Sequence, residues 1–141
     1  MRYAREITLM DDPKINIIIA DNNKEFCNIL NDYLLLQKSI SVTGIAQNGV
    51  EALKLIKEKN LILVVLGIIM PLIDGLGVLE KLNTLDLNPM PRTIVLSSVA
   101  QNKIIERAIF LGADYYVIKP FDMEEFIKKI KQMFNKTMIA I

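Results

Sequence analysis

Four positions in this sequence could act together in chemistry, and each follows a short apolar run. Asp21-Asn22 follows Ile15–Ala20 (INIIIA), Gly67 follows residues 61–66 (LILVVL), Ser97-Ser98 follows residues 93–96, and Lys119-Pro120 follows Tyr115–Ile118. Together they offer one carboxylate, one ammonium and two hydroxyls. A carboxylate and a lysine can work as an acid–base pair. A nucleophile activated by histidine is excluded, because the 141 residues contain no histidine. The same absence excludes a His-ligated metal. Cys27 is the only cysteine, so no internal disulfide and no cysteine cluster for a metal can form.

Elements of two kinds must position these residues. The apolar runs at Ile15–Ala20, 42–46, 61–66, 93–96 and Tyr115–Ile118 have strand length and few polar residues. Between them lie amphipathic stretches at 24–37, 50–59, 75–84, 103–111 and 121–134. In the first, Phe26, Leu30 and Tyr33 serve as the expected buried line. In the last, Met123, Phe126, Ile127, Ile130, Met133 and Phe134 share a stripe opposite lysines. Five strand-then-helix units predict an α/β fold: a (βα)5 doubly wound parallel sheet with helices on both faces. Strands that read as almost wholly apolar are expected to be covered on both sides. The functional crevice of such a sheet lies at the carboxyl ends of its strands, where the four positions fall.

The length suits one domain. The expected organisation is an N-terminal extension at 1–13, a domain at 14–135 and a tail at 136–141. A net charge of +1 gives no general attraction to nucleic acid. No apolar run approaches the ~18 residues of a membrane span. Arg2 and Arg5 precede no apolar stretch, so the N-terminus does not read as a secretory signal, and the cytoplasm is the expected location.

The strand-end residues resemble the pocket of response-regulator receiver domains. Receivers carry an acidic pair after the first strand, the phosphorylated Asp after the third, Thr or Ser after the fourth, and Lys-Pro after the fifth. The matching positions here are Asp21-Asn22, Gly67, Ser97 and Lys119-Pro120, and Met70, Pro71, Asp74 and Gly75 match the family's MPxxDG turn. The stretches IADNNKEF, IIMPLIDGLGVLEKL and YYVIKPFDMEEF are most similar to the receiver halves of the sporulation master regulators of spore-forming bacteria. The resemblance implies strand order 2-1-3-4-5, a cis bond before Pro120, and an activation switch at Ser97 and Tyr116.

The departures carry the functional expectation. Receivers attack a phosphoryl group with an Asp carboxylate, helped by Mg²⁺ on oxygen ligands. Gly67 has no side chain, and Asn22 replaces the second acid. The family pocket of three carboxylates and a lysine sums to −2, whereas Asp21 with Lys119 sums to zero. The expectation is therefore no phospho-acceptor, no metal and no cofactor. Bland roles remain open beside this one: Asn22-x-x-Glu25 fits a helix capping box, Asp74 a turn, and Cys27 an ordinary helix position.

Three functions compete. The first is a stand-alone pseudo-receiver that is not an enzyme and works by binding proteins. Its expected partners are another receiver, a histidine kinase or a phosphotransfer protein, as a homodimer or heterodimer, in sporulation-related signalling, without direct nucleic-acid or membrane contact. Ile105, Ile109 and Phe110 are its preferred contact residues and Leu35 the runner-up. The second is a small-molecule-binding domain of flavodoxin-like topology, although ADNNKEF is not the Ser/Thr/Gly-rich loop a flavin phosphate needs. The third is an enzyme using Asp21 and Lys119 as acid and base. A ligand screen by thermal shift separates the second from the first.

Overall fold

The computed structural model describes residues 14–58 and 63–134. The chain alternates β1 (Ile15–Ala20), α1 (Lys24–Leu35), β2 (Ile40–Ala46), α2 (Gly49–Glu58), β3 (Leu63–Leu66), α3 (Gly75–Leu82), β4 (Arg92–Ser97), α4 (Asn102–Phe110), β5 (Tyr115–Ile118) and α5 (Met123–Met133). All strand pairs are parallel, in the order β2-β1-β3-β4-β5. The doubly wound fold expected from the sequence is the one observed.

Strand periodicity builds two cores. Successive side chains on a strand point to opposite faces. Ile18, Ala20, Val64, Leu66 and Val95 therefore join one cluster with α2, α3 and α4. Ile17, Ile19, Leu63, Val65, Ile94 and Leu96 join the other, with α1 and α5.

The element boundaries differ from expectation at several ends. β2 starts at Ile40, two residues earlier than predicted, and its register shifts between Ile17 and Ile18 of β1. Leu61 and Ile62, predicted in β3, and Lys59, predicted in α2, lie outside the described residues, as do positions 1–13 and 135–141. α1 stops at Leu35, and α5 starts at Met123.

Two readings of burial are corrected. The central strands β1, β3 and β4 are buried, but the edge strands β2 and β5 are largely half-buried, with Tyr115 and Ile118 exposed. An edge strand has a neighbour on one side only. In α1 the buried line is Cys27, Leu30 and Leu34, and Tyr33 is 48% exposed. Both lines have helical spacing; the helix is rotated so that Phe26 meets Phe121 beside the sheet instead of lying beneath α1.

Glycine is required at one joint near the strand ends. A Cβ on Gly75 would collide with the Gly67 carbonyl oxygen. The Gly75 N–H donates to the Ile68 carbonyl at 2.8 Å, which folds the β3–α3 turn back over the end of β3. Asp74 caps α3, accepting from the Gly77 N–H at 2.8 Å.

Candidate functional site

The parallel sheet brings Asp21, Asn22, Gly67, Ser97 and Lys119 to one pocket of about 240 Å³, which Asn23, Ile68, Ile69, Leu96 and Ser98 also line. Strand pairing fixes their relative height. The Gly67 N–H donates to the Ala20 carbonyl at 2.7 Å, and the Lys119 N–H to the Ser97 carbonyl at 2.9 Å. Lys119 precedes Pro120 through a cis peptide bond.

Asp21 is 5% exposed, and both its carboxylate oxygens are engaged. Oδ1 accepts the Asn23 N–H at 2.9 Å. Oδ2 accepts from Lys119 Nζ at 2.9 Å. A buried carboxylate without such partners would be costly. The ammonium also lies 3.7 Å from the centroid of the Phe26 ring. Phe26 in turn packs edge-on against Phe121, with centroids 6.2 Å apart.

Ser97 is buried but does not join the pair. Its Oγ accepts the Val99 N–H at 3.1 Å. The Tyr116 hydroxyl donates to the Val99 carbonyl at 2.6 Å. Ser97 and Tyr116 thus hold the same residue of the β4–α4 loop. Burial pushes the Tyr116 phenol up, and the neighbouring Ser97 side chain opposes that shift.

The capping role expected for Asn22 belongs to its neighbour. Asn23 is the N-cap of α1 and accepts the Phe26 N–H at 3.0 Å, while Asn22 is exposed at the pocket rim. The chain turns sharply after Asp21, which places the second asparagine at the cap. Cys27 is more than an ordinary helix residue. Its buried Sγ donates to the Asp21 carbonyl at 3.4 Å. Burial, and then the Asp21 charge, push its thiol up to about 11, against the opposing charge of Lys119.

Phe26 and Asn23 are the participants that sequence reasoning missed. Phe26 reads as one more core residue at helical spacing, and nothing local signals that its ring face receives a lysine 93 positions away. None of Ile105, Ile109, Phe110 and Leu35 lines the pocket. Ile109, Phe110 and Leu35 are 46%, 78% and 60% exposed. Ile105 is half-buried.

The residues present do not fit a divalent cation. Mg²⁺ takes hard oxygen ligands and demands octahedral geometry. Asp21 is the one carboxylate lining the pocket, its two oxygens already accept hydrogen bonds, and Lys119 places a positive charge against it. Among the described residues no group of three His, Cys, Asp or Glu side chains could hold a metal ion. No helix among the described residues is long and apolar enough to cross a membrane.

Comparison with known proteins agrees with this geometry. The chain is 27% identical to the receiver domain of the Francisella response regulator 1452, covering 88% of this chain and 99% of that one, with a TM-score of 0.78. It is 25% identical to the signal receiver domain of the response regulator NarL from Mycobacterium tuberculosis, covering 86% and 96%, with a TM-score of 0.78. A CheY-like receiver protein from Methanospirillum hungatei shares the fold at 23% identity, covering 92% and 99%, with a TM-score of 0.79. The receiver-domain family of response regulators matches residues 17–131, and with its five parallel strands and its strand-end pocket the chain belongs to that family.

Proposed function

We propose that this chain is a pseudo-receiver: a receiver domain that takes no phosphoryl group on an aspartate and acts by binding other proteins. One observation carries the reading. Gly67 stands at the end of β3, against the Asp21 carboxylate and in the same pocket as Lys119, and it has no side chain with which to attack phosphorus. The position matches the acceptor of the family, and Asn22 matches its second acid. With no acceptor, phosphorylation has no differential interaction with two conformations and cannot shift their populations. Regulation then falls to the amount of the protein and to its partners' affinity.

The exposed apolar residues of α4, Ile109 and Phe110, support a protein-contact role for that face, with half-buried Ile105 beside them. Another receiver, a histidine kinase or a phosphotransfer protein is the partner class. The likeness of IADNNKEF and YYVIKPFDMEEF to sporulation regulators directs the search to sporulation signalling.

The test has two arms. Incubation with acetyl phosphate and Mg²⁺, followed by intact-mass measurement, is expected to show no phosphoryl adduct. A pull-down from a spore-forming host is expected to recover a receiver, kinase or phosphotransfer protein. A labile adduct, or failure to bind any of the three, would defeat the reading.

A further inference from the structure

We propose that Lys119 is the resident cation of this pocket: its ammonium stands beside Asp21 where a divalent ion would otherwise be drawn, and Phe26 is the residue that positions it. The pocket needs one positive charge, because it contains one nearly buried carboxylate. Lys119 supplies it at 2.9 Å from Oδ2. The Phe26 ring face meets the same ammonium at 3.7 Å. An aromatic face attracts a cation through its quadrupole, more strongly where water is excluded. Only 23% of the Lys119 side chain and 7% of the Asp21 side chain are exposed, so the ammonium is clamped between carboxylate and ring.

The clamp has its own support. Phe121 meets Phe26 edge-on, and Phe126 of α5 meets Phe121 with centroids 5.2 Å apart. Carboxylate, ammonium and three rings thus tie the end of β1, the first turn of α1, the β5–α5 connection and α5 together without an ion from solvent. An arriving divalent ion would have to displace the ammonium or lie against it, for a single charged ligand in return. Repulsion from the ammonium offsets much of that attraction, and a divalent ion gives up its bound water reluctantly.

This inference does not depend on which protein the chain binds, and its test is read at the pocket alone. Mn²⁺ is titrated into the labelled full chain, and paramagnetic broadening of the Asn22, Gly67 and Ser98 amide signals is followed. Wild type is expected to show no site-selective broadening at millimolar Mn²⁺. Lys119→Met keeps an unbranched stem against Phe26 and removes the charge; it is expected to bind Mn²⁺ at least ~10-fold more tightly than wild type. Phe26→Leu is expected to fall between the two, and Phe26→Tyr, which keeps the ring, to behave as wild type. If Lys119→Met fails to fold, Phe26→Leu decides: a gain in Mn²⁺ response supports the clamp, and no gain overturns it. Wild type binding Mn²⁺ in the pocket as tightly as Lys119→Met would also overturn it.

Discussion

The Asp21 carboxylate crowds the place where a side chain on Gly67 would begin. A Cβ on Gly67 would stand 3.0 Å from Asp21 Oδ2 and 3.4 Å from the Ala20 carbonyl oxygen. The first distance is tighter than an ordinary contact, and Lys119 holds that oxygen in place. Replacing the glycine is therefore not a simple restoration of an acid. The new side chain must push aside an ion pair that already satisfies the pocket.

Gly67→Asp is expected to lower stability by about 1–2 kcal/mol at neutral pH, because two carboxylates meet beside one ammonium. Added MgCl₂ should recover little of the loss in the single variant. Gly67→Asp with Asn22→Asp should recover more, since two further carboxylates outweigh the single lysine. Thermal unfolding with and without MgCl₂ checks both outcomes. Equal recovery in the single and double variants would contradict the charge argument.

Lys119→Ala removes the partner of Asp21 Oδ2 and the cation on Phe26 together. Asp21 keeps the Asn23 N–H, and the pocket is open to water on one side, so the loss should be about 1–3 kcal/mol, short of a fully buried pair. Denaturant unfolding measures it. A midpoint unchanged from wild type would mean that the 2.9 Å contact does not persist in solution.

The caps separate two adjacent asparagines. Asn23→Ala deletes the acceptor of the Phe26 N–H and should cost about 1 kcal/mol. Asn22→Ala touches only the exposed rim and should be near neutral. The reverse order would restore the capping box that the sequence suggests at Asn22.

This contrast shows what the sequence carries and what it does not. The βα alternation, the buried strands β1, β3 and β4 and the strand-end placement of Asp21, Gly67, Ser97 and Lys119 were all legible, because each rests on a short-range pattern. The phase of α1 was not: Phe26-Leu30-Tyr33 and Cys27-Leu30-Leu34 have similar spacing, and the sheet and the α5 side decide between them. Nor was the Val99 N–H as partner of the Ser97 Oγ. That bond depends on the path of the β4–α4 loop, which no periodicity specifies. The Phe26–Lys119 contact joins residues far apart in the chain and leaves no local trace.

Alkaline pH should destabilise the fold through Cys27. Its thiol rises from an ordinary 9.0 to about 11 in the folded protein, with burial as the largest cause and the Asp21 charge next. A group raised on folding contributes stability fully below its unfolded value and loses that contribution as pH climbs through the folded value. The loss should therefore develop between about pH 9 and pH 11, reaching at most about 2–3 kcal/mol. Tyr116, also raised by burial, adds loss of the same sign at the upper end. Cys27→Ala should flatten the lower part of the profile and Tyr116→Phe the upper part, measured by denaturant midpoints across the range. A wild-type profile that Cys27→Ala leaves unchanged would refute the assignment.

The α4 surface gives the last prediction. Phe110 is 78% exposed, with the Arg107 guanidinium 5.5 Å from its ring centroid, and Ile109 is 46% exposed beside it. Ala108 and Leu111 are the buried apolar residues at this end of the helix, so Phe110 contributes little to the stability of the monomer. Phe110→Asp should consequently shift unfolding by no more than ~0.5 kcal/mol. In a contact that buries this face, the same substitution would bury an unpaired charge in apolar surroundings, at a cost of several kcal/mol. The two effects separate cleanly. Light scattering after size exclusion and receiver pull-down should show association in wild type and its loss in Phe110→Asp, with the melting temperature preserved. Leu35→Asp, on α1, should leave association intact if the α4 face is the contact, and should abolish it if α1 is. A wild type that stays monomeric at high concentration and captures no receiver, kinase or phosphotransfer protein would leave the exposed Phe110 without a binding role.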